Sequence, residues 1–335
     1  MIQENTLLTE FNTFGLPIKA CFFAQIATLT ELKDVLEKHD PALPLLILGG
    51  GSNILFTKDF EGLVIKVNFR GIRILEEDEK SIILEAGAGE TWHDLVLFAV
   101  RNNWAGIENL SLIPGTVGAA PIQNIGAYGV ELKDCFESLD AVAIGSGRVH
   151  SFTKAECEFG YRSSVFKTHL KNRFVIEKVR LRLRKNPKPN ISYTALKTYF
   201  EKNNLEHTIQ NISEAVIAIR NSKLPDPKKL GNCGSFFKNP EILKSHYQTI
   251  LQNYPQAVGF ESGENLVKMS AGWLIEQCGW KGKIVGNTGA YKEQALVLVN
   301  YGQASGQEIY NLAKAIEQSV KEKFEIELQA EVNII

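Results

Sequence analysis

The stretch Leu45-Leu46-Ile47-Leu48-Gly49-Gly50-Gly51-Ser52-Asn53 places a short apolar run directly before a glycine-rich turn. The apolar run predicts a buried strand over residues 45–48, and the turn after it presents consecutive main-chain N–H groups that suit a pyrophosphate. The chain contains no G-x-G-x-x-G and no G-x-x-x-x-G-K-[ST], so neither a Rossmann fingerprint nor a P-loop is present. We therefore expect the nucleotide to be bound by a different fold.

Composition narrows the class of protein. With 335 residues, 44% of them hydrophobic, the chain can form a sizeable core and two or three domains. Its 37 Lys and Arg against 38 Asp and Glu give a net charge of −1, which disfavours nucleic acid and anionic membranes as partners. The N-terminus lacks a basic segment followed by an apolar one, and no run approaches 18 apolar residues. We expect neither export nor a membrane span.

The cysteines and histidines point away from metal and disulfide chemistry. The five cysteines are widely spaced and include no C-x-x-C pair, which argues against a disulfide framework and a zinc site and fits a reducing cytoplasm. The six histidines form no ligand-spaced pair, so we predict no metal. A G-x-S-x-G elbow is also absent, which leaves hydrolase chemistry without support.

Periodicity and turn signals predict an α/β (α+β) chain. We expect strands over residues 45–48, 63–67, 72–75, 82–84, 141–144, 179–184 and 325–335, and helices over 28–40, 91–103, 194–203, 212–221, 241–252, 270–278 and 305–323. Two of these helices begin with capping boxes, Thr28-x-x-Glu31 and Ser305-x-x-Glu308. We place the main domain boundary near residue 211, with lobes of about 1–68 and 69–211 before it and a domain of 212–335 after it.

A second loop of small residues runs from Ser111 to Gly129 and contains Pro114-Gly115-Thr116-Val117-Gly118-Ala119 and Gly126. Small side chains let a backbone approach a flat ring closely, which would suit a cofactor. The alternative interpretation is ordinary irregular structure, which is typical of a single loop of this kind. Two such loops in one mixed α/β region favour a nucleotide cofactor.

Motifs along nearly the whole chain occur in the order found in the UDP-N-acetylenolpyruvoylglucosamine reductases (MurB). They are Asn12-Thr13-Phe14-Gly15, Gly49 to Asn53, Pro114 to Gly129, Gly160-Tyr161-Arg162, Lys223-Leu224-Pro225-Asp226-Pro227, Gly234 to Pro240 and Glu331. The resemblance implies a two-lobed FAD-binding domain of the vanillyl-alcohol-oxidase (PCMH) type and a C-terminal α+β substrate domain. It also implies that NADPH reduces the enolpyruvyl ether of UDP-N-acetylglucosamine to UDP-N-acetylmuramate, a step of peptidoglycan synthesis. We expect a cytoplasmic monomer.

The same resemblance assigns the cofactor residues. Non-covalent FAD is expected on the two loops, because no histidine lies within residues 45–60 to tether it. A side chain added at Gly50 would crowd the backbone or be excluded by a positive φ. The cofactor-binding residues so implied are Gly49, Gly50, Gly51, Ser52, Asn53, Pro114, Gly115, Thr116, Gly118, Ala119 and Gly126.

Three residues match the family's catalytic positions. Arg162 would pair with the substrate carboxylate and its developing enolate, and Ser235 would donate a proton to the neighbouring carbon. Glu331 would complete the enolate contact, since repulsion by the carboxylate favours its protonated, hydrogen-bond-donating form. Spacing alone leaves other interpretations open: a strand arginine on a solvated face, a turn serine bonded to nearby backbone, and a solvated glutamate on the polar face of the last strand.

Four further residues, Tyr193, Lys223, Asn239 and Gln294, match positions that hold the UDP moiety, and Tyr193 resembles the loop tyrosine of the type I branch. Without the family match, Lys223 and Tyr193 are typical of ordinary surface residues. Asn333 departs from the arginine common in the family and puts a second basic contact in doubt. The rival functions are another oxidoreductase on the same flavin fold, such as an alcohol or sugar oxidase, and a non-catalytic nucleotide-binding module.

Overall fold

The computed structural model describes all residues from Met1 to Ile335. Its helices are α1 (Leu29–Lys38), α2 (Trp92–Arg101), α3 (Thr194–Asn203), α4 (Ile209–Lys223), α5 (Lys244–Asn253), α6 (Ala271–Gln277) and α7 (Gly306–Phe324). Its strands are β1 (Gln3–Leu7), β2 (Lys19–Ile26), β3 (Leu45–Leu48), β4 (Ile54–Leu55), β5 (Phe60–Val67), β6 (Ile72–Glu77), β7 (Ser81–Gly87), β8 (Gly126–Ala127), β9 (Val130–Glu131), β10 (Phe136–Ala143), β11 (Val149–Thr153), β12 (Phe174–Arg184), β13 (Gly231–Ser235), β14 (Glu241–Leu243), β15 (Gly259–Glu261), β16 (Leu266–Met269), β17 (Ile284–Val285), β18 (Thr288–Ala290), β19 (Val297–Asn300) and β20 (Asn333–Ile334).

The chain forms two compact units. Unit 1 comprises Met1–Thr6, Ala20–Gly50 and Glu61–Arg220, and unit 2 comprises Leu7–Lys19, Gly51–Phe60 and Asn221–Ile335. Two short N-terminal segments thus belong to the same unit as the C-terminal third of the chain. The expected domain boundary near residue 211 lies within α4 and stays a prediction.

Unit 1 contains a mixed sheet and an antiparallel sheet. The first has the order β1-β2-β5-β3, with β3 and β5 parallel, and the second has the order β11-β10-β12-β7-β6. Helix α1 begins with the predicted capping box, because Thr28 Oγ1 accepts from Glu31 N at 3.2 Å and Glu31 Oε2 accepts from Thr28 N at 3.1 Å. Apolar side chains of both sheets, α1 and α2 form one core.

Charged side chains on the antiparallel sheet form a network around Arg180 of β12. Arg180 donates to Asp140 Oδ2 at 2.6 Å and to Glu85 Oε2 at 2.8 Å. Burial alone would raise the pKa of Asp140, but hydrogen bonds from Arg180 and Ser151 hold it below its usual value. This network satisfies the partly buried charges of strands β7, β10 and β12.

Helices α3 and α4 pack on each other through a smaller core of unit 1, in which Leu196 and Phe200 meet Ile212 and Val216. The bounds of α3 are those that the sequence predicts, and α4 extends the predicted 212–221 at both ends.

Unit 2 combines two small antiparallel sheets, β13-β19-β18-β17 and β14-β16-β15, with α5, α6 and α7. The capping box predicted at Ser305 is confirmed, and the predicted apolar face of α7 is buried in the core of this unit.

The continuous strand predicted over residues 325–335 is wrong. Only β20 is a strand, although burial alternates as expected through Ile326, Leu328 and Val332. The segment stays extended because it pairs with two partners in turn: Glu331 N donates to Phe236 O at 2.8 Å, and β20 pairs in parallel with β4. Ile334, predicted to be on the apolar face, is exposed.

Candidate active site

The two predicted cofactor loops approach each other within unit 1. A Cβ atom built on Gly50 would lie 2.8 Å from the Cα of Gly115, and one built on Gly49 would lie 2.7 Å from Thr116 Oγ1. Both distances are shorter than the 3.0 Å below which real Cβ atoms essentially never approach another heavy atom. Glycine at residues 49 and 50 is therefore a requirement of the close packing between the loops.

Hydrogen bonds fix the second loop and leave donors for an anion. Val117 N donates to Glu90 O at 2.8 Å, and Gly118 N donates to Ala88 O at 2.9 Å. The N–H groups of Gly50, Gly115 and Thr116 donate no hydrogen bond within unit 1. Main-chain donors without a protein acceptor, beside glycine, can form an anion-binding concavity, so these residues fit the phosphates of a dinucleotide.

Lys66 of β5 adds a positive charge that the sequence argument missed. Its Nζ donates to Gly49 O at 2.7 Å, directly below the glycine turn. Burial, with the nearby Arg70 charge, lowers the pKa of Lys66. The available signal was a lysine inside the apolar run from Leu63 to Val67.

The rest of the first turn belongs to unit 2. Gly51 has a φ of +63°, and a Cβ atom there would collide with Phe11 O. Asn53 Nδ2 donates to Glu331 O at 3.4 Å, while Asn333 Nδ2 donates to Asn53 O at 3.0 Å. The end of the glycine turn is thus bonded to the backbone of the candidate catalytic glutamate, and Asn333 holds the turn in place.

Ser235 lies at the end of β13, where the strand departs from regular pairing. The register with β19 shifts between Asn232 and Ser235, and Gly234 has a φ of +74°. Asn232 Oδ1 accepts from Gly234 N at 2.9 Å and so holds this turn. The Ser235 side chain is exposed and makes no hydrogen bond within the protein. The alternative of a serine bonded to nearby backbone is therefore wrong, and the hydroxyl is available to a ligand.

Main-chain pairing places Glu331 opposite Phe236, the residue after Ser235. Glu331 N bonds to Phe236 O, and Gln329 O accepts from Lys238 N at 2.9 Å, so the two extended segments run antiparallel. Burial, reinforced by the charge of Glu331, raises the pKa of the Cys233 thiol. The glutamate is partly buried, and not on the fully exposed face that the alternative interpretation describes.

Arg162 lies in a tight turn and not on a strand, so its alternative interpretation is wrong too. The turn is closed by Gly160 N donating to Ser163 O at 3.0 Å, and Arg162 has a φ of +51°. Its Nη1 would lie 3.3 Å from a Cβ atom on Gly126, which places the guanidinium beside the second cofactor loop. Left-handed backbone at a residue other than glycine costs free energy and is concentrated at functional sites.

Two side chains that the sequence argument missed, one buried and one partly buried, lie near the Arg162 turn. Asn124, fully buried, donates from Nδ2 to Gly160 O at 3.0 Å and so connects the second loop to the Arg162 turn. Burial is the main cause that lowers the pKa of Arg220, and the positive charge of Arg162 lowers it further. The Tyr128 phenol acts in the opposite direction and raises this pKa. Arg220 Nε is buried without a hydrogen-bond partner. Positive charge is therefore concentrated beside Arg162.

The four predicted substrate residues fall into separate places. Asn239 Oδ1 accepts from Ala271 N at 3.0 Å, and Gln294 Oε1 would lie 2.9 Å from a Cβ atom on Gly272, so both lie at the first turn of α6. Lys223 is the exposed last residue of α4. Tyr193 precedes α3 in unit 1, with 45% of its surface exposed.

Two family models match separate parts of the chain. One, described as an FAD binding domain, matches residues 22–153, and the other, described as the C-terminal domain of UDP-N-acetylenolpyruvoylglucosamine reductase, matches residues 226–335. The UDP-N-acetylenolpyruvoylglucosamine reductase of Flavobacterium johnsoniae is 51% identical and covers 100% of this chain and 99% of its own. The chain belongs to the UDP-N-acetylenolpyruvoylglucosamine reductase family.

Other members of the family and proteins with related folds are also similar to this chain. The UDP-N-acetylenolpyruvoylglucosamine reductase of Amoebophilus asiaticus is 48% identical, covering 100% of this chain and 99% of its own. The crystal structure of the reductase from Thermus caldophilus superposes with a TM-score of 0.69 at 25% identity, covering 100% and 99% of the two chains. 6-Hydroxy-D-nicotine oxidase from Arthrobacter nicotinovorans shares the fold, with a TM-score of 0.54 at 13% identity over 96% and 85% of the chains.

This reductase is therefore an FAD-dependent enzyme of peptidoglycan precursor synthesis that uses NADPH, and the expected FAD-binding fold and reductase function are confirmed. None of its helices has the length and apolar character needed to cross a bilayer.

Proposed function

We propose that Ser235, Glu331 and Arg162 carry out the substrate chemistry by which UDP-N-acetyl-3-O-(1-carboxyvinyl)-glucosamine becomes UDP-N-acetylmuramate. The observation that supports this proposal is the main-chain pairing of the Ser235 and Glu331 segments, which lie nearly a hundred residues apart in the sequence. When bound, FAD accepts a hydride from NADPH and delivers it to the enolpyruvyl group.

The two glycine loops are the proposed site of non-covalent FAD. Within Gly49 to Asn53 and Pro114 to Ala119, the N–H groups of Gly50, Gly115 and Thr116 would hold the phosphates, with Lys66 supplying a positive charge next to the turn. Gly126 lies beside Arg162, and a side chain there would crowd Glu131 and Val130.

Ser235 is the proposed proton donor. Hydride addition to the terminal enolpyruvyl carbon leaves carbanion character on the carbon next to the carboxylate, and that carbon must receive a proton. The exposed hydroxyl at the end of β13, held by the Asn232–Gly234 hydrogen bond, supports this role.

Arg162 and Glu331 are proposed to stabilise the enolate that precedes protonation. The guanidinium can donate two parallel hydrogen bonds to a carboxylate, and its charge acts strongly where water is excluded. Arg220 adds positive charge near Arg162 and supports the binding of an anion there. Protonated Glu331 would donate to the same developing charge.

The remaining assignments concern the sugar nucleotide. We assign Tyr193, Lys223, Asn239 and Gln294 to its UDP moiety, with Lys223 as the charge for the diphosphate. The five cysteines are unpaired, which supports a reducing cytoplasm as the location. We further propose that the enzyme is a monomer, and that Asn333 supports the glycine turn in place of a basic contact.

Flavin absorbance under anaerobic conditions tests the proposed function. NADPH should bleach the flavin of the purified protein, and the enolpyruvyl sugar nucleotide should restore it. Bleaching without recovery would indicate another oxidoreductase, and the absence of bleaching would indicate a nucleotide-binding module. Acid precipitation should release the flavin into the supernatant, whereas flavin retained in the pellet would contradict non-covalent binding.

A further inference from the structure

The segment from Asn190 to Tyr193 leads from β12 to α3 and is held by a buried side chain. Asn109, only 1% exposed, donates from Nδ2 to Tyr128 O at 3.0 Å and to Asn190 O at 2.9 Å. Its Oδ1 is buried and accepts no hydrogen bond. A buried acceptor without a partner is unfavourable, so Oδ1 contributes no stability. The stabilising contacts of Asn109 are therefore the two hydrogen bonds that its Nδ2 donates.

The side chain of Asn190 adds a second connection. Its Nδ2 donates to Gly129 O at 3.3 Å, and its Oδ1 accepts from Ser192 N at 3.0 Å and from Ser192 Oγ at 2.7 Å. Asn190 thus bonds the Tyr128–Gly129 loop on one side and the residue before Tyr193 on the other.

These bonds determine where the ring of Tyr193 lies. Tyr128 has a φ of +49°, which is uncommon for an aromatic residue, and Asn109 bonds to its carbonyl. The Tyr128 ring packs against the core between α3 and α4, and the Tyr193 ring meets it edge to face with centroids 5.3 Å apart. Tyr193, which is 45% exposed, is therefore oriented by the Tyr128 ring, and Asn109 holds the backbone of Tyr128.

We propose that Asn109 and Asn190 are positioning residues that hold Tyr193 against Tyr128 and so orient its hydroxyl for the diphosphate of the sugar nucleotide. This inference rests on the proposed role of Tyr193. A side chain held in its binding orientation loses less conformational freedom when the ligand binds, so affinity rises without a new contact to the ligand.

Asn190→Asp tests the inference, because it keeps the acceptor for Ser192 and removes the donor to Gly129. Losing one such hydrogen bond should raise the KM for the enolpyruvyl sugar nucleotide by about 3- to 10-fold. The kcat and the KM for NADPH should stay within about twofold, since the proposed role of Tyr193 concerns the sugar nucleotide. Asn203→Asp is the matched control: Asn203 Nδ2 donates to Tyr199 O at 2.8 Å on the exposed surface of α3, and its KM should match the wild type.

A double-mutant cycle separates positioning from general structural damage. In a Tyr193→Phe background, which lacks the hydroxyl, Asn190→Asp should change KM by less than about twofold. Equal effects of Asn190→Asp in both backgrounds, or no effect in either, would overturn the inference while leaving the role of Tyr193 intact. An unchanged KM in Tyr193→Phe alone would instead overturn the proposed role of Tyr193 and this inference together. Asn190 is only partly buried, so the test does not depend on replacing the buried Asn109.

Discussion

The glycine loops of unit 1 and the paired segments of unit 2 are built in different ways. The loops are shaped by the absence of side chains, since Gly50 and Gly115 allow two backbones to approach within the space of a Cβ atom. The paired segments instead carry the side chains of Ser235 and Glu331. They lie where the regular pairing of the sheet ends and only a few main-chain hydrogen bonds join the two segments. The comparison teaches that the candidate binding loops depend on glycine at the points where they meet, whereas the candidate catalytic groups depend on main-chain pairing between distant segments.

The sharpest test of this comparison is Ser235→Ala. If the hydroxyl is the proton donor, flavin reoxidation by the sugar nucleotide should slow by about 10²–10⁴-fold, the usual value of general acid catalysis. Flavin reduction by NADPH should be nearly unchanged, because that step needs no proton at the substrate. Rapid-mixing absorbance can measure each step separately. Ser235→Cys, which retains an acidic proton on a group that forms weaker hydrogen bonds, should recover part of the lost rate. Equal slowing of both steps in Ser235→Ala would show that the serine is structural.

Gly50→Val tests whether the close packing of the two glycine loops is needed for FAD binding. Its Cβ would meet the Gly115 backbone, and such overpacking costs about 1–3 kcal/mol, so FAD affinity should fall by roughly 5- to 150-fold. The cause is crowding, since Gly51 and not Gly50 has the positive φ. Titration of the apoprotein with FAD, followed by fluorescence, measures the change. Gly145→Val is the control, because nothing lies within 4 Å of a Cβ atom there, and equal loss of affinity in both variants would contradict the argument.

Lys223→Ala tests the proposed contact between this lysine and the diphosphate of the sugar nucleotide. Loss of a charge-assisted contact costs roughly 1.5–3 kcal/mol, which predicts a KM for the sugar nucleotide raised by about 10- to 100-fold. Steady-state kinetics at saturating NADPH measure it. Lys229, also exposed, supplies a control substitution to alanine that should leave KM unchanged. An unchanged KM in Lys223→Ala would remove this lysine from the binding site.

The smallest expected effect is a pH dependence of the stability of unit 1, caused by the titration of His93. His93 Nδ1 accepts from Leu112 N at 2.9 Å, just before the second glycine loop, and burial lowers the pKa of His93 below its ordinary 6.5. The unfolded chain therefore binds the proton more readily, so stability should fall as pH decreases below about 6.5. The loss should stay below about 1 kcal/mol, because His93 keeps partial contact with water.

Thermal unfolding between pH 7.5 and pH 5 measures this dependence against His93→Asn, which retains an acceptor near Nδ1 but does not titrate. The variant should lose less stability at low pH than the wild type. Parallel curves for the two proteins would remove His93 as the cause.

Much of the local structure was predictable. The strand over 45–48, the helix over 194–203 and both capping boxes follow from periodicity and from side chains that bond within one turn. The last segment shows the limit of this reasoning: alternation correctly predicted burial of Ile326, Leu328 and Val332 but not the absence of a continuous strand. Alternation reports which side of an extended chain is buried, and a strand also needs a partner along its length.

The sequence by itself determined the family, the FAD-binding fold and the small residues of both loops, because motif order and the absence of side chains are local properties. Tertiary structure alone decided that Lys66 bonds to the glycine turn, that Asn124 holds the Arg162 turn, and that Glu331 pairs beside Ser235. These contacts join residues between 17 and 95 positions apart, and no local propensity encodes such pairings. They form because each buried donor, acceptor or charge needs a partner that only the folded chain can supply.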